Sequence, residues 1–241
     1  MEAPLSNVLG TGEFVGCRAF PTLECVREAI AITREAFSQF VSSVEWSLEC
    51  RNKAILHVLW HQCYAVGTRG INLPYIPLSA VNRRSGLATL RDKDSGTGYK
   101  TRLVWIPPSV LRDMKALHKA ARLFTGSSCG RAIELPAEYP RFLFEDAGTD
   151  PENGITRTTI EKVSHDFFPF PTNSPRRVMR YLLKQRGLPP ERVDVFMGHW
   201  QERREPWGKW SSFDYSEYFR QLRQLVPEIL HDLGFEQDRN G

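Results

Sequence analysis

The stretch Asn52–Leu73 reads NKAILHVLWHQCYAV and then GTRGINL. Its first fifteen residues predict a strongly apolar helix over Asn52–Val66, and Gly67 supplies the C-terminal stop that such a helix needs. An arginine, Arg69, follows at once in the turn. The apolar run Ala54–Trp60 is interrupted by His57 and then by His61 and Gln62, and it is far too short to cross a membrane. His57 and His61 stand four apart on one helix and could offer two metal ligands. No third ligand is visible nearby in the sequence, so the pair reads as core-facing or surface histidines, and no metal is expected.

Working outward, residues 1–21 form an extended lead-in. Thr22 to about Cys50 predicts a helix, with Leu23, Val26, Ile30, Ala31, Phe37, Phe40, Val41 and Val44 near a 3.6-residue period. Downstream, Leu87–Asp92 and Thr101–Ile106 are β-prone runs flanking Ser95-Gly96-Thr97-Gly98, the signature of a hairpin. Pro107-Pro108 ends it, and Val110–Phe124 resumes helical spacing. Thr125–Arg141 and Glu145–Gly154 read as loops, Thr158–Phe167 as a short helix and Pro169–Pro175 as a turn. Arg176–Arg186 is a helix ended by Gly187, Pro189-Pro190 opens another that runs to Met197, and Gln201–Trp210 is a polar loop. Ser216–Leu233 is a long amphipathic helix. The expected class is mainly α (α+β), helices around one small antiparallel β-sheet. Residues 1–49 supply the lead-in and a helix, and residues 50–241 the main domain, the two forming one globular unit.

The chain has 241 residues, 41% hydrophobic and 25% charged, which excludes disordered and fibrous classes. Its 32 basic and 28 acidic residues leave a net charge of +4, which permits a nucleic-acid partner without requiring one. The first 30 residues have no basic segment leading into a long apolar one, so no secretory signal is expected. Five cysteines with no CxxC pair read as reduced thiols, and the expected location is cytoplasmic. GxGxxG, GxxxxGK[ST] and HExxH are all missing, which removes the nucleotide-binding and zinc-protease signatures.

Four pieces remain. Gly67-Thr68-Arg69-Gly70-Ile71-Asn72-Leu73 puts an arginine after an apolar helix; Lys93 lies on the hairpin; Asn173-Ser174-Pro175-Arg176 opens a helix; and Met197-Gly198-His199 ends the next. A tyrosine-bearing amphipathic helix follows. In this order the chain resembles the catalytic domain of the tyrosine recombinases, the phage-integrase family. That family carries a T-G-x-R-x-x-E-L box, a hairpin lysine, an H-x-x-R box, a G-H box and a C-terminal tyrosine. Arg102-Leu103-Val104-Trp105-Ile106-Pro107 also resembles the strand after the family's lysine. Asp92-Lys93, Gly198-His199-Trp200, Glu205-Pro206-Trp207 and Ser211-Ser212-Phe213 are similar to a bacterial subgroup reading DK and GHW…EPW…SSF. The resemblance covers about Cys50 to Phe235, with two departures: Asn173 stands for the histidine of H-x-x-R, and Asn72 for the glutamate of the first box. Only 66 residues precede Gly67, so the family's separate N-terminal DNA-binding domain is expected to be absent or trimmed away.

The resemblance implies a site-specific recombinase or integrase of mobile genetic elements that cleaves and rejoins double-stranded DNA through a 3′-phosphotyrosyl link, with no cofactor. It also implies self-association on DNA as a tetrameric synapse. Arg69 and Arg176 would clamp the nonbridging oxygens, where transition-state charge gathers, because a guanidinium gives two donors and stays ionised. Lys93 would protonate the departing 5′ oxygen and His199 would donate to the phosphate. Asn173 could donate a hydrogen bond there but not take a proton. Tyr218 is the expected nucleophile, with Tyr215, three residues earlier, as the alternative. Arg83, Arg84, Lys100, Arg177 and Arg180 would contact phosphates regardless of base sequence. The rival reading is a DNA-binding or assembly protein of the same fold with weakened catalysis; a topoisomerase-like nickase is a second.

Overall fold

The computed structural model describes residues 21–43, 48–68, 80–82, 84–91, 101–128, 173–199, 206 and 211–236. Arg69, Arg83, Lys93, Lys100, the short helix expected at 158–167 and the turn of the hairpin lie outside the described residues. Among those described, the chain is mainly helical with a two-stranded antiparallel sheet.

Helix α1 spans Leu23–Ser42, and the Thr22 side chain caps it by accepting from the Cys25 N–H at 3.1 Å. The periodicity had pointed to a helix continuing to Cys50. Instead Ser43 is extended (φ −107°, ψ 153°), and the Ser42 hydroxyl donates to the carbonyls of Ser38 and Gln39. Serines compete with the helical ladder in this way, and the weak formers Val41, Ser42 and Ser43 offer little to resist it. Helix α2 then spans Leu48–Val66, one turn longer at its start than the sequence predicts. Every residue from Ala54 to Thr68 is buried. An all-round apolar helix belongs at the centre of a fold, and α2 packs against α1, α3, α4 and α6 as well as the sheet.

Strands β1 (Leu87–Arg91) and β2 (Thr101–Trp105) pair antiparallel from Leu87↔Trp105 to Arg91↔Thr101. Alternation along β2 turns Arg102 and Val104 inward and leaves Thr101 exposed. Helix α3 runs Pro108–Ser128, continuing four residues past the expected end at Phe124 because its Gly and Ser residues cost only tenths to about 1 kcal/mol each. Helix α4 is Ser174–Gln185 and α5 is Pro190–Phe196, both with proline in the first turn. Helix α6 is Tyr215–Asp232, capped by the Asp214 carboxylate accepting from the Glu217 N–H at 3.0 Å.

Residues from all eight elements join one hydrophobic core. The end of α6 is seated on α1: Arg27 Nε donates to the Asp232 carbonyl at 2.9 Å and Arg34 Nη1 to that of Gly234 at 2.6 Å. No described helix is long and apolar enough to cross a membrane.

Candidate active site

Two helix C-termini converge at the inner edge of the hairpin. The last carbonyls of a helix have no partner within it and carry the negative end of its dipole. Here α2 presents the carbonyls of Val66 and Gly67, and α5 those of Phe196 and Met197. Two buried arginines take them up. Arg102, only 1% exposed, donates through Nη1 to Val66 O (2.8 Å) and Phe196 O (2.6 Å) and through Nη2 to Gly67 O (3.0 Å). Arg176, on the first turn of α4 and 5% exposed, donates through Nη1 to the same Gly67 oxygen at 2.6 Å and through Nη2 to Met197 O.

The meeting of the two helices rests on Gly67. Its φ of +59° ends α2, and a Cβ there would lie 2.7 Å from Phe196 Cε1. Gly198, with φ +61°, ends α5 in the same way, and the His199 N–H returns to the Asp194 carbonyl at 2.8 Å. This turn brings His199 Nε2 to 3.4 Å from Arg176 Nη2, while 41% of the His199 side chain is exposed. His199 and Arg176 therefore form a pair with one partner buried and the other open to solvent. Across from it Asp194 Oδ1 lies 4.0 Å from His199 Nδ1 and 3.8 Å from Arg180 Nη2. Arg69 follows Gly67 by two residues in the chain.

Asn173 occupies the N-cap position of α4, but its side chain makes no capping bond there. Arg177 and Arg180 are exposed on α4, and Arg84 is exposed at the turn that enters β1.

Tyr218 is 2% exposed, with its ring 5.3 Å from that of Phe213 and 5.0 Å from that of Phe219. Burial raises its phenol pKa, opposed by the positive charge of Arg102. Tyr215 is half-buried; its hydroxyl donates to the Pro206 carbonyl, and burial raises its pKa too, against a hydrogen bond with Ser211. The structure thus gathers Arg176, His199 and Arg102, sets Tyr218 within the field of Arg102, and occupies the Tyr215 hydroxyl elsewhere.

Arg102 entered the motif reading only as part of a strand, with no role in the site. The signal was present: a lone arginine in an alternating strand, at an inward register position. A second omission concerns the histidine pair on α2. The structure supplies the third group missing from the sequence neighbourhood, Asp113 of α3, whose Oδ2 is 2.8 Å from His61 Nδ1. No protein-family model, curated protein or solved structure matches the chain.

Proposed function

We propose that the protein is a site-specific tyrosine recombinase acting on duplex DNA. The observation that carries the reading is the Arg176–His199 pair, brought to 3.4 Å from 23 residues apart, on the carbonyl that precedes Arg69 by two residues. The ordered boxes of the sequence would draw these residues together for one purpose, to receive a phosphate. In the reaction the Tyr218 phenol gives its proton to water and its oxygen forms a bond to phosphorus, the bond to the 5′ oxygen breaks, and the Lys93 ammonium protonates that oxygen. Arg69, Arg176 and His199 would hold the nonbridging oxygens meanwhile. Arg102 acts behind them as a positioning residue: it joins the ends of α2 and α5 and lowers the phenol's reluctance to ionise.

Incubation with a nicked suicide substrate tests the reading. A covalent 3′-phosphotyrosyl adduct is expected, lost in Arg176→Ala and Tyr218→Phe and retained in Tyr215→Phe. Adduct retained by both tyrosine variants would end the covalent mechanism.

A second reading has its own support. Arg176 spends donors on two backbone carbonyls, Tyr218 is buried with a raised pKa, and asparagine replaces the histidine at 173. A catalytically weakened DNA-binding or assembly protein accounts for all three. Duplex binding without any adduct selects it.

A further inference from the structure

Farther back along α2 from the end that the arginines bind, His57 and His61 are buried together with Asp113 of α3, and one donor atom from each lies within 4.8 Å of the others. His57 and His61 share a face of α2 because they are four apart. Asp113 reaches them from α3, with Oδ2 2.8 Å from His61 Nδ1 and 3.9 Å from His57 Nε2.

The hydrogen-bond roles around His57 make this arrangement incomplete. The Thr33 hydroxyl donates to the carbonyls of Ile30 (3.0 Å) and Ala29 (3.2 Å), which leaves its lone pairs to accept from His57 Nδ1 at 3.3 Å. His57 Nδ1 then carries the proton, and Nε2 turns a bare lone pair toward a carboxylate oxygen. The separations of 3.9 Å and 2.8 Å bracket the spacing of two ligands on one tetrahedral ion, about 3.3 Å for bonds of 2.0–2.1 Å, so a shift of about half an ångström in each would seat an ion. His61 Nδ1 donates to Asp113 Oδ2, so an ion would enter by displacing that proton, and His61 Nε2 is buried with no hydrogen-bond partner among the described residues.

We propose that His57 Nε2, His61 Nδ1 and Asp113 Oδ2 form a buried site for a divalent transition metal of the zinc type. Neutral imidazole nitrogens and one carboxylate suit zinc, cobalt or nickel rather than calcium or magnesium. Thr33 acts as the outer-shell partner that fixes the His57 tautomer. The walls are aromatic: Phe235 stacks on His61 at 4.6 Å and lies 5.5 Å from His57, and Phe37 stacks on His57 at 5.1 Å. The ion clamps α2 to α3 under the end of the chain, with a fourth position left to water. Loading requires the Phe235 segment to lift, against the hold of Arg34 on the Gly234 carbonyl.

The full chain, unfolded with a chelator and refolded with excess zinc, provides the test. Dialysed protein is expected to retain one zinc ion, and refolding with cobalt to give the visible absorption of tetrahedral Co²⁺. With zinc about a hundredfold above Kd, Tm should rise by about 5–10 °C. Asp113→Asn, nearly isosteric, and His61→Ala should lose both signals. If His61→Ala does not fold, Asp113→Asn with the wild-type stoichiometry decides. Substoichiometric zinc on folded wild type overturns the site, and so does a full equivalent retained by Asp113→Asn. Neither result bears on adduct formation with DNA.

Discussion

Arg102 and Arg176 are one charge type in one small volume, with different consequences when changed. Arg102 is sealed, and its three carbonyl partners come from the ends of α2 and α5, which Arg176 bridges as well through the carbonyls of Gly67 and Met197. Arg102→Met would keep the stem's packing and leave the carbonyls of Val66, Gly67 and Phe196 to share whatever donors remain. A loss of about 3 kcal/mol in urea unfolding is expected, against less than about 0.5 kcal/mol for the exposed control Arg84→Met. On the recombinase reading Arg102 supports the site from behind, so the surviving folded fraction of Arg102→Met should still bind DNA. Its place in the site was half legible. Alternation along Thr101–Trp105 marks it as inward-facing, but its partners lie 35, 36 and 94 residues away, and no local pattern reports on contacts at that range. Asp113 was hidden for the same reason, since it reaches His61 across 52 residues.

At the scale of the elements, glycines decide where helices stop, and their surroundings decide what that is worth. Gly67 and Gly187 both have positive φ, +59° and +78°. An alanine at Gly187 would meet nothing within 4 Å, whereas at Gly67 it would run into the Phe196 ring. Gly187→Ala should therefore cost about 1 kcal/mol, the left-handed backbone alone. Gly67→Ala should cost about 2–4 kcal/mol, adding the overlap with a packed ring. Thermal unfolding checks the order, and adding Phe196→Leu to Gly67→Ala should recover part of the loss through non-additivity. These stops, the hairpin strands and the prolines that open α4 and α5 were readable because each depends on a residue's own backbone preference. The end of α1 at Ser42 was not, because the apolar period continues through Val44 while serine hydroxyls divert the ladder. The union of α2 and α5 was equally invisible: Gly67 announces a helix end, not the ring it meets.

Taken as a whole molecule, the protein holds its expected nucleophile in a closed form. Tyr218 lies in the core that α6 shares with the sheet and α2, so its proton is part of the folding equilibrium. Its folded pKa is raised above the ordinary value of about 10, so the unfolded chain gives up the proton first as pH rises. The stabilising difference is fully present below pH about 10 and is lost above it, by up to about 1.4 kcal/mol per pH unit for each such phenol. Tyr64, buried in α2 with its pKa also raised by burial, adds a second contribution of the same sign. Stability should thus fall steeply above pH about 10, and Tyr218→Phe should make that slope shallower by about one phenol's share. Spectroscopic titration of the seven tyrosines gives the matching readout: Tyr218→Phe should remove a late-ionising step and leave the ordinary ones in place. If the variant instead loses an ordinary step, α6 stands open in solution and the phenol is already accessible. On the proposed recombinase reading, a late step means that DNA would have to move the start of α6 before the phenol could meet a phosphate. The same lifting would draw the buried Tyr218 ring out of the core, so the cost of opening is set by the core, not by the site.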